Sequence, residues 1–421
     1  MKDAAKRFLV GLADMRILFL SDNFRPESNA PAARLYEHAV RWVRAGHEVT
    51  IITCAPNFPE GKLFPGYRNR WRDIEWMDDI RVVRVKSFIT ANEGFLLRTL
   101  DYVSFMLTSF IAGLFERRPD VVVATSPQFF CAAGGWALSA VRRLPFVFEL
   151  RDLWPASIEA VGAMRSRGVL RCLEKVELFL YRRSNAVIAV TESFRADLVR
   201  RGIPAEKIHV VMNGVDMELF SPREVDPEYA AIYDTAGKFV VGYLGTHGLA
   251  HNLPKVLEAV ELLRARTDIV FIFAGSGAGR RHVEEIVADR SLTNVRLIPR
   301  QPKDVMPRLW SLCDLTLVPL RDSPVFSTVI PSKIFESMGM GVPILISVPA
   351  GEAVDIVLGA QAGISVPPDD AEAIAEAIIR LADSSHTLAR MKASAMAAAG
   401  RYSRASQARK MLSILEEHAR Q

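Results

Sequence analysis

The chain alternates short unbroken apolar runs with longer stretches whose apolar positions recur every three or four residues. RILFLS (16–21) leads into AARLYEHAVRWVRAG (32–46), and EVTIITC (48–54), IRVVRVKS (80–87), a helical stretch over 94–116 and DVVVATS (120–126) follow. A helical pattern near 129–142, PFVFEL (145–150), a helix within 166–183, AVIAVT (186–191), a helix over 192–202 and IHVVMNG (208–214) complete this first series. Runs this apolar are strands buried on both faces, and strands joined by helices predict a parallel sheet covered on both sides.

A polar link, VDMELFSPREVDPEYAA (215–231), precedes a second series. It runs FVVGYLG (239–245), helix 253–266, IVFIFAG (269–275), helix 279–289, NVRLIP (294–299), helix 303–312, LTLVPL (315–320), helix 332–340, VPILIS (342–347) and GISVP (363–367). A helix over 370–382 and a last helical region close the chain. The expectation is an α/β protein of two doubly wound, Rossmann-like domains. Residues 1–14 form an extension, 15–220 the first domain, 221–400 the second, and 401–421 a final helix that could cross back to the first. Such sheets bind ligands beyond the carboxyl ends of their strands, and two facing halves make a cleft.

Several strand exits carry candidate chemistry. FIFAGSGAGR (271–280) places Gly275, Gly277 and Gly279 between a strand and a helix, where backbone N–H groups can approach a phosphate; a plain tight turn would look the same. GYLGTHGLAHN (242–252) is a second glycine-rich exit where Thr246, His247, Gly248, His251 and Asn252 could face a ligand, although each histidine taken alone reads equally as a surface-loop residue. In VIPSKIFESMGMGVP (329–343), Pro331 and Ser332 mark a helix start. Lys333 then falls in the first turn and Glu336 one turn later on the same side. A lysine there opposes the helix dipole, which argues for an anion rather than for a solvated pair. FELRDLWP (148–155) puts Glu149, Arg151 and Asp152 at a strand end, although Asp152 could simply cap a helix. SDNFRPESNAPAARLYE (21–37) is a long first loop with small residues around Asn29, and GYRNRWRDIEW (66–76) is a basic and aromatic loop that could bind acidic lipid or a lipid diphosphate, or be an ordinary amphipathic loop.

Composition narrows the class. Of 421 residues, 50% are hydrophobic and 24% charged, the balance of a soluble globular chain. A net charge of +5 is too weak to imply nucleic acid but suits an anionic membrane surface or a phosphorylated substrate. Cys54, Cys131, Cys172 and Cys313 are scattered in apolar contexts and read as reduced core thiols, without a disulfide framework or zinc site. The first 14 residues have too short an apolar run for a signal peptide. No stretch offers 18 uncharged apolar residues; 94–118 comes nearest, interrupted by Arg98 and Asp101, and reads as a buried helix or as one lying in a membrane interface.

The order of these features resembles a family 4 glycosyltransferase of the two-domain GT-B fold. The matching pieces are AARLYEHAVRWVRAGHEVTIIT, SFRADLVRRGIPAEKIHVVMNGVD, FIFAGSGAGR, NVRLIPRQPKDVMPRLWSLCDLTLVPL and PSKIFESMGMGVPILIS. SPQFF, RDLWP and VFSTVIPSKIFESMGMGVP resemble the branch that builds bacterial surface polysaccharide, including the transferase of L-fucosamine to O-antigen or capsule units. The family uses two glutamates eight positions apart near the donor. The second, which holds the ribose, matches Glu336; Thr328 stands in the place of the first. Family cations that face the diphosphate align with Thr246 and His251, and a family histidine aligns with Arg151. The resemblance therefore implies donor contacts from Glu336, Lys333, Thr328, Ser332, Gly275, Gly277, Gly245, Thr246, His247, Arg300 and Arg321. It implies Asp152, Arg151, Glu149 and Lys333 at the reaction centre, and acceptor contacts from Asn29, Arg34, Arg70 and Trp154.

The implied activity is retaining transfer of a sugar, for example an N-acetylated 6-deoxy amino sugar, from a nucleotide diphosphate, with UDP expected. The implied acceptor is a polyprenyl diphosphate-linked saccharide. No metal or other cofactor is obligatory, and no DxD pair is present. The implied location is cytoplasmic, peripheral at the inner membrane. Alternatives on the same fold are a UDP-sugar 2-epimerase-like enzyme, which needs no acceptor, and a non-catalytic partner subunit. A dehydrogenase is disfavoured because the first strand exits into SDNFRPES without a GxGxxG turn.

Overall fold

The computed structural model describes residues 15–27, 29–58, 60–90, 95–126, 129–153 and 167–419. The chain divides into two compact units, Met1–Met212 with Gln407–Gln421, and Asn213–Ser406.

In the first unit, eight strands among the described residues form one sheet: β1 (Arg16–Leu20), β2 (Glu48–Cys54), β3 (Arg72–Met77), β4 (Ile80–Val85), β5 (Val121–Thr125), β6 (Phe146–Leu150), β7 (Ala186–Ala189) and β8 (Ile208–Val210). Their order is β3-β4-β2-β1-β5-β6-β7-β8, so the sheet is wound outwards in both directions from β1 and β5. Every pairing is parallel except β3 with β4. That edge hairpin corrects the reading of 66–76 as a loop throughout. Asp78 and Asp79 both have positive φ, 47° and 61°, and join Met77 to its register partner Ile80. A two-residue turn of this kind matches the twist of a hairpin. The strand escaped notice because it is an exposed edge, where charge prevents further pairing.

The helices of this unit are α1 (Ala30–Arg44), α2 (Phe95–Leu114), α3 (Phe129–Arg142), α4 (Arg167–Arg183) and α5 (Glu192–Arg200). Cores form on both faces of the sheet. One side gathers Leu18, Ile52, Val122, Phe146 and Phe148 with Phe105 of α2 and Leu138 of α3; the other gathers Phe19, Ile51, Val123 and Val147 with Leu35 and Trp42 of α1. The chain's last helix (Arg404–Ala419) supplies Met411, Ile414 and Leu415 to this second core, and the Trp42 Nε1–H donates to Ala408 O at 2.9 Å. Cys172 lies on an exposed face of α4, which corrects its reading as a core thiol; Cys54, Cys131 and Cys313 are buried.

The second unit has a parallel six-stranded sheet among the described residues: β9 (Phe239–Leu244), β10 (Ile269–Ala274), β11 (Val295–Ile298), β12 (Leu315–Pro319), β13 (Ile344–Ser347) and β14 (Gly363–Ser365), ordered β11-β10-β9-β12-β13-β14. Its helices are α6 (Pro227–Ile232), α7 (Leu253–Leu262), α8 (Arg280–Asp289), α9 (Met306–Trp310), α10 (Lys333–Met340), α11 (Glu352–Gly359), α12 (Ala371–Ala382) and α13 (Ser385–Ala399); the last helix, named above, is α14. Strand order reverses between β9 and β12. A sheet wound in two directions opens a crevice at that point, on its carboxyl edge.

Candidate functional site

The crevice of the second unit is lined by the exit of β9 and by the start of α10, which follows β12. Tyr243, one residue from the end of β9, is fully buried and its hydroxyl donates to Thr246 O at 2.5 Å. Lys333 Nζ lies 3.7 Å from the centre of the Tyr243 ring. A Cβ added to Gly245 would lie 3.5 Å from the Lys333 amine, so the turn passes directly against it. His247 and His251 pack on the edge of the same ring, with centroids 5.5 and 5.8 Å away.

The glycines let two strand exits interlock. Gly245 and Gly275 have φ of 143° and 146°, a region open chiefly to glycine. A side chain on Gly275 would place its Cβ 1.8 Å from Gly245 O, and one on Gly277 2.7 Å from His247 O. The Gly275 N–H donates to Ile298 O at 3.1 Å, and the Gly279 N–H to His247 O at 2.7 Å. This corrects the expectation that the 275–279 turn offers those amides to a phosphate. The close approach that Gly275 and Gly277 permit holds the His247 turn in place.

The electrostatics follow from burial. Lys333 is 6% exposed, and Nζ has no hydrogen-bond partner. Burial pushes its pKa down to about 7, with only partial recovery from the Glu336 carboxylate. His247 is completely buried, and neither ring nitrogen has a partner. Burial, then Arg280, Lys333 and His251, push it down to about 4. Burial and Lys333 likewise push His251 to about 4 against the pull of the Pro319 carbonyl, which its Nδ1 meets at 3.1 Å. Thr246 and His251 therefore bring no cation, and Lys333 is the group that can.

Other expected donor contacts lie around this edge. Ser332 precedes α10 as an exposed N-cap residue with no side-chain cap bond, and Glu336 is half-buried in its first turn. Thr328 ends a short 3-10 helix, Pro324–Thr328. Arg300 and Arg321 are exposed, each two residues past its strand, and the Arg321 N–H donates to Ala250 O at 2.8 Å.

Two expectations are corrected in the first unit, Arg34 as an acceptor contact and Glu149 at the reaction centre. Arg34 Nε sits 3.0 Å from Glu149 Oε1, with both side chains almost fully buried. The guanidinium also donates to Met212 O at 2.7 Å and Val211 O at 2.9 Å. Burial raises the Glu149 carboxyl, but Arg34, Arg151 and a Thr125 hydrogen bond more than reverse this and leave it below the usual range. The pair fastens α1, the end of β6 and the segment after β8 together, so Arg34 is closed to an acceptor and Glu149 is held away from proton transfer. Asn29 is the N-cap of α1, its Oδ1 accepting from the Ala32 N–H at 3.0 Å. Arg70 is exposed beside Asp73, at 4.0 Å. The Arg151 N–H donates to Ser126 Oγ at 2.8 Å, and Asp152 follows it, half-buried. Trp154 lies outside the described residues.

Tyr243 is not among the residues expected at the site, although an aromatic just before a glycine turn is a usable signal for a cation's floor. Asp101 does more than interrupt the apolar run of α2. Burial, with repulsion from Asp22, pushes this carboxyl up to about 7.

Comparison with known proteins agrees with this frame. Residues 29–214 match the model described as "Glycosyl transferase 4-like domain", and 238–384 the model "Glycosyl transferases group 1". The chain is 25% identical over 375 residues to the "Putative colanic acid biosynthesis glycosyl transferase WcaI" of Escherichia coli K12, covering 86% of this chain and 91% of that protein. In fold it resembles sucrose-phosphate synthase from Thermosynechococcus elongatus, with a TM-score of 0.72, 16% identity and coverage of 96% and 98%. It also resembles Anabaena HepE in complex with UDP and glucose, with a TM-score of 0.68, 20% identity and coverage of 95% and 99%. The chain is a GT-B glycosyltransferase, made of a glycosyl transferase 4-like domain followed by a group 1 glycosyl transferase domain.

Proposed function

We propose that this enzyme is a retaining glycosyltransferase of surface polysaccharide synthesis. It moves a sugar, an N-acetylated 6-deoxy amino sugar in the branch it resembles, from a UDP donor to a polyprenyl diphosphate-linked saccharide. The observation that carries the reading is the buried, unpartnered Lys333 amine against the Gly245 turn at the β9–β12 crevice. Buried polar groups that the fold leaves unsatisfied concentrate where a ligand completes them. A diphosphate supplies the missing charge. The names of WcaI and of the HepE complex support the pathway and the nucleotide respectively.

In this reading Lys333 stabilises the negative charge that grows on the departing diphosphate, the step where preorganised charge matters most. Glu336 holds the ribose hydroxyls. Thr328, Ser332 and Thr246 offer hydroxyls around the donor, with Arg300 and Arg321 at the rim. The acceptor hydroxyl attacks from the face that the diphosphate leaves, and the diphosphate accepts its proton. Asp152 orients the acceptor, because Glu149 is occupied by Arg34. A thermal-shift series with UDP, GDP, ADP and dTDP checks the donor. UDP raises the melting temperature of the wild type, and Glu336→Ala loses most of that gain. An equal gain in both proteins would remove Glu336 from the site.

The membrane part of the proposal rests on α2. Among the described residues no helix is long and apolar enough to cross a membrane. Yet Leu97, Leu100, Leu107 and Ile111 are exposed at helical spacing along one stripe, and Phe115 just beyond is 74% exposed. Arg117 and Arg118, past the end of the helix, bind Glu48 and the carbonyls of Arg142 and Arg143. An apolar stripe of this size suits an interfacial helix. Leu107→Glu with Ile111→Glu is expected to release the enzyme from anionic lipid vesicles in a sedimentation assay; unchanged binding would remove α2 as the contact.

A further inference from the structure

The crevice of the second unit holds two buried polar side chains that the fold leaves unsatisfied, the Lys333 amine and the His247 imidazole. The charged and titratable groups around the amine can be named element by element. Glu336 faces it from its own helix; Tyr243, His247 and His251 from β9 and the turn beyond; Arg280 and Glu284 stand at the start of α8. Glu284 is bound by Arg280 at 2.6 Å, and Arg280 also donates to the carbonyls of Phe273, Gly275 and Ile298. Only Glu336 pulls appreciably on the amine. An amine this buried with so little opposing charge gives up its proton readily.

Resting on the donor-site reading above, we infer that a nucleoside diphosphate enters this crevice together with a proton, which Lys333 takes from solvent. The balance is simple: the neutral amine plus one proton becomes an ammonium that binds the phosphate oxygens, and no covalent bond changes. His247 stays neutral and donates one ring N–H. The consequence is a donor affinity that declines as pH rises, because the empty site must be charged each time it is filled.

Isothermal titration of the full chain with UDP at pH 8, in HEPES and in Tris, reads the proton directly from the difference in binding heat. At pH 8 the nucleotide is already ionised, so uptake comes from the protein. The expected value is about 0.9 proton per UDP, and Kd should rise about tenfold between pH 8 and pH 9. Lys333→Arg keeps a fixed charge and is expected to bind without uptake. Lys333→Met is expected to bind weakly with a flat pH dependence, and His247→Gln to keep the uptake. Tight wild-type binding with no proton taken up would overturn the inference and leave the donor site standing. Uptake that survives in Lys333→Met or disappears in His247→Gln would overturn it too. If none of UDP, GDP, ADP and dTDP binds, the donor-site reading itself falls and this inference with it.

Discussion

Lys333→Met is expected to abolish sugar transfer while making the empty protein harder to melt. The two effects share one cause. A thioether fits the apolar space over Tyr243 without needing a charge, whereas the amine is held there 6% exposed with no hydrogen-bond partner. In the unfolded chain a lysine keeps its proton to about pH 10.4. In the folded chain this one loses it near pH 7. Between those values the unfolded state binds more protons, so the lysine's penalty on stability shrinks as pH rises and is full below about pH 7. Removing it should raise the Tm at pH 7 by about 3–6 °C and flatten the rise in stability between pH 7 and 10. Transfer should fall at least about 100-fold, the loss expected when one preorganised group facing the leaving charge is removed. Calorimetry and a transfer assay on the same preparation check both. A variant that melts lower and still transfers would make Lys333 a structural lysine.

The second large effect lies in the other unit. Arg34→Met leaves the Glu149 carboxylate buried and without its 3.0 Å partner, which costs about 3–5 kcal/mol and lowers the Tm by about 6 °C or more. Adding Glu149→Leu is expected to restore much of that loss, because an apolar pair of similar volume can replace a buried ion pair. The kcat and acceptor KM of the folded fraction should not change. A stable Arg34→Met protein with a raised acceptor KM would return Arg34 to the acceptor site.

How much the sequence disclosed depended on the kind of signal. Both sheets could be read because their central strands, such as VVVAT in the first and IVFIFA in the second, are apolar on both faces. The β3 edge could not, because RDIEWM is mostly exposed and only Met77, at its end, packs on the core; its clearest mark was the Asp78–Asp79 turn. In the site, the helix start before Lys333 was written in Pro331 and Ser332. The burial of that lysine was not, since it depends on Tyr243, ninety residues earlier, supplying the surface beneath it. Arg34 and Glu149 looked like site residues for a physical reason: charges at strand ends are what a site requires. Their mutual burial arises from a contact across 115 positions that no local pattern encodes. The glycine turns show a similar limit. Their spacing suggested phosphate-facing amides, but the Gly275 and Gly279 N–H groups are engaged by Ile298 and His247.

In the proposed function, the β9–β12 crevice receives the donor's diphosphate on Lys333. A crystal structure of the enzyme with UDP tests it most directly. The expected result is a phosphate oxygen about 2.8 Å from Lys333 Nζ and ribose hydroxyls against Glu336. UDP bound elsewhere, or in this crevice with Lys333 still without a phosphate contact, would contradict it.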